Sequence, residues 1–263
     1  MSVIINLALN KLAIEFEKLD LTFHEYESGK KGDLISYFPG KQAEEVMLCV
    51  FQGSHIHEPF HRQDFFFLNF AYTGEYDALS SKYNNKITVK ENECYIGQPY
   101  SGYALCGNSN EPVTIIGVLI RKETFFKEYL SVLSSDSTLF QFWLTPQTDL
   151  FSDEFIHLSF SKEHPVRTLL ELMVIEYADR KEDTQLILKP MLLSLFMHIA
   201  RRYRMEHMTT KSLSLTDQII HYITDHMAKI SLSEIAAMLG YSNHSNFYKA
   251  FKEYYGITPR EYI

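Results

Sequence analysis

The chain has 263 residues, of which 46% are hydrophobic and 22% are charged, as in a folded globular protein. Its three cysteines, Cys49, Cys94 and Cys106, are scattered, which excludes a disulfide framework and a zinc knuckle. The net charge of −8 argues against a protein that binds nucleic acid over its whole surface, but an acidic domain can accompany a small DNA-binding module. Because the sequence shows no signal peptide and no uncharged stretch long enough to span a membrane, we expect a cytoplasmic protein.

The first half of the chain has the pattern of β-strands. Between about residues 21 and 121, short runs rich in β-branched and aromatic residues alternate with clusters of glycine, asparagine, serine and proline. Clear examples of such runs are 46–51, 65–72 and 113–120. Many short strands at close spacing predict an antiparallel sandwich or barrel.

The pattern becomes helical after Arg121. Residues 122–133 can form a helix, and Pro165 stands where a second helix would begin, since apolar residues recur at helical spacing after it. A third helix is expected from about Gln185 to His207, and Pro190 would either start it or kink its first turn. The last two helices have apolar surface enough either to cover the sheet or to contact a second subunit, and the sequence leaves both possibilities open.

The C-terminal segment predicts two short helices joined by a tight turn. Ser231 and Glu234 form a capping box that opens the first helix, and Gly240 can take the left-handed conformation that ends it. Phe247 and Phe251 lie one turn apart on the inner face of the second helix. This is the pattern of a helix-turn-helix, although an ordinary helical hairpin with a polar outer face fits the same residues.

In a helix-turn-helix, the exposed residues early in the second helix enter the major groove of DNA. Asparagine can pair with adenine, and lysine or histidine can donate to guanine, while later basic residues contact phosphates. The predicted DNA-binding residues are Ser242, Asn243, His244, Ser245, Asn246, Lys249 and Lys252.

Three strings in this segment resemble the signature of the AraC/XylS family of bacterial regulators. They are Leu-Ser-Glu-Ile-Ala-Ala-Met-Leu-Gly-Tyr (232–241), Asn-Phe-Tyr-Lys-Ala-Phe-Lys (246–252) and Gly-Ile-Thr-Pro-Arg-Glu-Tyr (256–262). Members of that family usually carry two helix-turn-helix units, whereas this chain has room for one. Residues 212–263 hold four basic and five acidic side chains, an unfavourable balance for DNA binding.

The resemblance implies an α+β protein with a cupin-like β-sandwich or barrel at the N-terminus, a helical connector and an all-α helix-turn-helix domain. We expect an effector-binding domain over residues 1–160, connecting and dimerising helices over residues 161–210, and a DNA-binding domain over residues 211–263. The expected partners are double-stranded DNA, a small-molecule effector such as a sugar, and a second copy of the chain, with no membrane partner.

A histidine-rich stretch in the first half resembles an incomplete cupin metal motif. His55 and His57 would share one face of a strand and could bind a metal together with His61, but the glutamate and the later histidine of the motif are missing. Histidines that border a ligand pocket without metal are the favoured interpretation, so no metal and no cofactor are predicted. Aromatic rings nearby would suit a small organic effector. The predicted effector-binding residues are His55, His57, His61, Phe67, Tyr72, Tyr95 and Tyr103.

No arrangement of catalytic residues in the sequence demands an enzyme. The leading hypothesis is a regulator in which an effector in the N-terminal pocket modulates DNA binding by the C-terminal helix-turn-helix. A cupin-type metal-dependent enzyme with a helical tail is one alternative, and a regulator that has lost much of its DNA binding is another.

Overall fold

The structure of the protein, a computed structural model, describes residues 2–19, 21–26, 33–80, 85–133, 139, 142–143, 155–206, 244–255 and 258. The chain forms two compact units, of which one comprises residues 1–122 and 146–203 and the other residues 123–145 and 204–263. The domain boundaries expected at residues 160 and 210 remain predictions.

The first unit combines helices with short and long strands. Its described strands are β1 (His24–Glu25), β2 (Leu34–Ser36), β3 (Val46–His57), β4 (Arg62–Gln63), β5 (Phe65–Thr73), β6 (Tyr76–Ser80), β7 (Asn85–Val89), β8 (Glu93–Gly97), β9 (Tyr103–Arg121) and β10 (Phe155–Ser159). Its helices are α1 (Ser2–Glu17), α3 (Pro165–Ala178) and most of α4 (Thr184–Glu206).

Strand β9 organises the barrel-like sheet of this unit. One edge of β9 pairs with β3 along almost its whole length, and its other edge pairs first with β6 and then with β5. The strand order is β10-β8-β5-β9-β6-β7, with β3 joined to β9 as the seventh strand and antiparallel pairing throughout. Strands β1, β2 and β4 form a separate three-stranded sheet. This architecture of strands and helices confirms the predicted α+β class.

Alternation along the strands divides the buried side chains into two sets. In β5, Phe65, Phe67 and Ala71 belong to the inner core of the sheet, while Phe66 and Phe70 are buried on its other face. Because both faces are apolar, the sheet needs a cover on the outside, and α1 packs against both β3 and α3.

Helix α3 begins as the sequence predicted. Pro165 occupies its first turn, and the side chain of His164 caps it by accepting a hydrogen bond from Val166 N at 3.3 Å. In α4, Pro190 lies inside the helix. Gln185 fixes α4 to the start of β3, since its Oε1 accepts from Glu45 N and Val46 N and its Nε2 donates to Val46 O at 2.9 Å.

Helix α1 is an element that the sequence pattern did not reveal. Its buried side chains recur at helical spacing from Ile5 to Ala13. Its outer face is apolar as well, for Ile4 and Leu7 are 57% and 65% exposed, and this blurs the amphipathic period that predicts a helix. No helix within the described part of the chain is long and apolar enough to cross a membrane.

In the second unit, the helix predicted over residues 122–133 is confirmed, and we name it α2. Its middle turn, Phe125–Tyr129, is π-helical and lies between Lys122–Thr124 and Leu130–Leu133. The ring of Phe125 contacts Trp143 with 4.9 Å between centroids. Helix α5 (His244–Tyr255) corresponds to the predicted second helix of the helix-turn-helix. The predicted first helix, with Ser231, Glu234 and Gly240, lies outside the described residues.

Candidate functional site

The inner face of the barrel-like sheet borders a cavity of about 290 Å³. Its walls are formed by residues that end and follow α1, by β2, β3, the loop after β3, β4, β5 and β9. The side chains and backbone around it belong to Phe16, Leu21, Phe23, Ser36, Pro39, Cys49, Phe51, His55, Ile56, His57, Glu58, His61, Gln63, Phe65, Asn69, Tyr103, Leu105, Ile115, Gly117 and Leu119. The lining is mostly apolar, and its polar side chains are Ser36, His55, His57, Glu58, His61, Gln63, Asn69 and Tyr103.

His61, Gln63 and Tyr103 form a hydrogen-bonded group in the cavity wall. Gln63 Nε2 donates to Tyr103 Oη at 2.8 Å and lies 3.2 Å from His61 Nε2. Since Pro59 O can only accept, the His61 Nδ1 atom 2.8 Å from it must carry the proton, and Nε2 then accepts from Gln63. Burial lowers the pKa of His61, which favours this neutral form. The wall thus presents a neutral imidazole with both nitrogens engaged.

Strand alternation directs these side chains toward the cavity. His61, Gln63 and Phe65 all line it, whereas Arg62 between them points elsewhere and donates to Tyr100 O at 2.8 Å. Arg62 is also paired with Asp33, with 3.3 Å between Nε and Oδ2. Because side chains alternate along residues 61–65, His61 and Gln63 face the cavity while Arg62 is buried on the opposite face of the same segment.

Glu58 is the carboxylate of the cavity lining. Its backbone N–H donates to Leu105 O at 3.0 Å, which ties the loop after β3 to β9. Part of the residue is exposed, but Oε2 is shielded from solvent and accepts no hydrogen bond among the described residues. Burial raises the pKa of Glu58 to about 7, because removing the carboxylate from water disfavours its charged form.

Cys49, Gly117 and Asn69 stand side by side on three neighbouring strands. A β-carbon at position 117 would lie 2.5 Å from Cys49 Sγ and 3.2 Å from Asn69 Oδ1, so only glycine leaves room for both side chains. The Cys49 thiol donates weakly to Gly117 O at 3.8 Å, and burial raises its pKa to about 12. This thiol therefore stays protonated and contributes to packing.

The predicted effector-binding residues fall into separate places. His55, His57, His61 and Tyr103 line the cavity, with His55 and His57 exposed to solvent. Phe67 and Tyr95 lie in an adjoining aromatic stack, where the Phe67 and Tyr103 ring centroids are 4.3 Å apart. Within the described part of the chain, no three histidine, cysteine or acidic side chains are grouped so that they could hold a metal ion.

Tyr72 lies on the opposite face of β5, against α3. Its hydroxyl donates to Glu171 Oε1 at 2.9 Å, and the Arg167 guanidinium stacks 4.1 Å from its ring centroid. Arg167 also donates to Asn92 Oδ1 at 2.8 Å. Tyr72 therefore joins the sheet to a covering helix and does not border the cavity.

Sequence reasoning did not identify Cys49, Glu58, Gln63 and Asn69 as parts of the cavity wall. Gln63 could have been found by extending the alternation that begins at His61. The position of Asn69 depends on the pairing of β5 with β9, which a single sequence does not show.

In the second unit, α5 has one buried and one exposed face. Phe247 and Phe251 are buried, with 6.0 Å between their ring centroids, while Ser245, Asn246, Lys249 and Lys252 are exposed. His244 is the first residue of the helix. Ser242 and Asn243 lie outside the described residues. The exposed face has the polar and basic side chains that a recognition helix presents to DNA.

Residues 225–263 match the model for bacterial regulatory helix-turn-helix proteins of the AraC family. The chain carries an AraC-family helix-turn-helix domain. The match confirms the resemblance drawn from the three sequence strings, and it spans α5 and the preceding predicted helix. No curated protein matches the chain.

Solved structures similar to this chain include ToxT from Vibrio cholerae and a smaller cupin protein. Apo ToxT of strain SCE256 is 12% identical, with 85% of this chain and 98% of that chain covered and a TM-score of 0.45. ToxT of strain O395 bound to (E)-4-(8-methylnaphthalen-1-yl)but-3-enoic acid is 12% identical, with 83% and 98% covered and a TM-score of 0.38. A cupin protein from Bacteroides fragilis is 10% identical, with 30% and 67% covered and a TM-score of 0.27.

Proposed function

We propose that the protein is a transcription regulator that binds double-stranded DNA through α5 and binds a small-molecule effector in the cavity of its first unit. The match of residues 225–263 to the AraC-family helix-turn-helix carries this proposal. The exposed polar face of α5 supports it, because Phe247 and Phe251 hold the opposite face in the protein interior. A DNA partner implies that the protein acts in the cytoplasm, and the proposal includes no catalytic activity.

Within α5, the proposed roles follow from side-chain chemistry. Asn246 can form a bidentate pair with adenine, Lys249 can donate to guanine, and Ser245 and Lys252 can contact phosphates. Ser242, Asn243 and His244 complete the proposed DNA-binding set. Because residues 212–263 hold only four basic side chains, few phosphates would be neutralised by each subunit, and the affinity for DNA should be low unless the protein dimerises.

The double substitution Asn246→Ala and Lys249→Ala is expected to weaken specific DNA binding by at least about tenfold, since each base contact contributes on the order of 1–3 kcal/mol. The target duplex is first obtained by enriching a random duplex library with the wild-type protein. Binding to the enriched duplex is then measured by fluorescence anisotropy over a range of salt concentrations.

A matched control replaces Lys90 and Lys162, both exposed lysines of the first unit, with alanine. This control removes two positive charges, whereas the test variant removes one, so a general effect of charge would weaken the control more. Failure to enrich any sequence, or equal binding by the test variant and the wild type, would contradict the proposed function.

Strand β5 contacts the cavity with one face and helix α3 with the other, so it could transmit a change from the cavity to α3. Phe65 and Asn69 line the cavity on one face, and Tyr72 on the other face is bonded to Glu171 and Arg167 of α3. A ligand that displaced β5 would therefore act on α3 directly. An effector can shift an equilibrium of the regulator only by binding its two states with different affinity.

We further propose that the regulator acts as a homodimer, as the sequence predicted. Helix α1 carries exposed apolar side chains at Val3, Ile4, Leu7 and Ile14, with exposed fractions from 51% to 70%. Such a stripe is costly on a surface unless a partner covers it. The helices predicted to dimerise, α3 and α4, expose large apolar side chains at Leu172, Leu186, Ile187, Met197 and Met205, but only Leu186 and Met205 are more than half exposed.

Leu7→Lys is expected to convert the dimer to a monomer in analytical ultracentrifugation, because the charge would be buried without a partner. Leu186→Lys, at a position 72% exposed on α4, is the matched control and is expected to leave the dimer intact. Dissociation by Leu186→Lys alone would place the interface on α4, and a monomeric wild type would contradict the dimer.

A further inference from the structure

We propose that the effector carries a positively charged amine, which pairs with Glu58, on a small and largely apolar body. This inference rests on the proposed function, since it takes the cavity as the effector site and goes on to name the chemistry that the cavity selects.

The charges around the cavity favour a cation over an anion. Glu58 is the one acidic residue among the lining residues, and none of those residues is lysine or arginine. His61 is held neutral by burial and by its two hydrogen bonds. A ligand carboxylate would therefore face Glu58 with no lysine or arginine among the described lining residues to neutralise it, whereas an ammonium group would supply a partner for Glu58.

The hydrogen-bonding groups of the cavity wall also favour an ammonium group. Glu58 Oε2 and Gln63 Oε1 are both shielded from solvent and accept no hydrogen bond among the described residues. The amide nitrogen of Gln63 is already engaged by Tyr103 and His61. The wall therefore presents two acceptors without a donor partner among the described residues, and an ammonium group brings three donors. A charged donor also forms a stronger hydrogen bond with a carboxylate than a neutral one does.

The size and the remaining walls limit the rest of the ligand. A volume of about 290 Å³ lies at the lower end of the range for ligand pockets, which suits a molecule with one ring and a short chain. Away from Glu58 and His61, the cavity meets side chains such as Phe16, Phe51 and Leu119. A sugar, which has hydroxyl groups on all sides, would leave several of them without partners against these walls.

Three probes of closely similar shape separate the possibilities: 2-phenylethylamine, 2-phenylethanol and phenylacetate. We expect titration calorimetry with the full chain at pH 8 to show binding of the amine at least about tenfold tighter than that of the alcohol, with no binding of phenylacetate. Glu58→Gln should weaken amine binding by at least about tenfold and leave alcohol binding unchanged. Glu75→Gln, at an exposed position outside the cavity, should leave all three affinities unchanged.

The outcomes distinguish the two proposals. Tighter binding of phenylacetate or the alcohol than of the amine would overturn the amine assignment while leaving the cavity as an effector site. Amine binding that Glu58→Gln does not change would overturn the role of Glu58. Binding of none of the probes would overturn the amine assignment alone, because the proposed function is decided separately by the DNA binding of the α5 variants.

Discussion

Replacing Phe67 with alanine is expected to lower the free energy of unfolding by about 3–5 kcal/mol, the cost of removing a buried aromatic side chain. Phe67 is 1% exposed, and its ring stacks on Tyr103 and Tyr95 in the core of the barrel-like sheet. The loss measured by urea denaturation should therefore exceed that of any exposed aromatic residue in the same unit.

Gly97 allows a sharper form of this test. A β-carbon at position 97 would collide with the Phe67 ring on the neighbouring strand β5, so Gly97→Ala alone should cost about 1–3 kcal/mol through overpacking. In the Phe67→Ala background the same methyl group enters the space left by the ring, and the cost should nearly vanish. If the two losses of stability simply add in the double variant, Gly97 does not pack closely on the Phe67 ring.

The second large effect concerns Glu58 and pH. The free energy of unfolding is expected to fall by about 2–3 kcal/mol as the pH rises from about 4.5 to 7. Each unit of difference between the folded-state and unfolded-state pKa corresponds to about 1.4 kcal/mol, and the partial exposure of Glu58 reduces the free-energy change that this conversion gives. Glu58→Gln should remove this fall and leave a protein more stable than the wild type at pH 8. Chemical denaturation of both proteins across the pH range measures the difference.

The sign of this effect follows from the raised pKa of Glu58. Burial raises that pKa to about 7 in the folded chain, so between pH 4.5 and 7 the folded state binds more protons than the unfolded state. Stability is then fully present below the unfolded pKa and is lost as the pH passes through the folded one. Other titratable groups around Glu58 are His55, His57, His61, Cys49, Tyr76 and Tyr103. They are common to both proteins and largely cancel in the difference, so equal pH curves would show that Glu58 is not buried as described.

The elements that the sequence predicted well are those with a strong local signal. Pro165 begins α3 because its fixed φ angle and missing N–H suit the first turn of a helix, and both properties can be read from one residue. The aromatic-rich run at residues 65–72 predicted a strand, because such a run is itself a local signal for a strand. The AraC-type signature near the C-terminus was predicted from three strings and is confirmed by the family match.

What escaped prediction depends on contacts between distant residues. Helix α1 is apolar on both its buried and its exposed faces, so no local period marks it. In the cavity, Cys49, Asn69 and Gly117 become neighbours only through the register of three strands. Tyr72 was grouped with the pocket aromatics, but the bonds of its side chain to α3 show that it faces the other way.

The arrangement of Cys49, Gly117 and Asn69 constrains how the protein can change in evolution. With a β-carbon at position 117 blocked by both neighbours, a lineage that acquires alanine there must also accept a smaller residue at position 49 or a different one at position 69. These three positions should therefore covary among homologues. Since all three border the cavity, such correlated changes would mark the lineages in which the protein has come to recognise a different ligand.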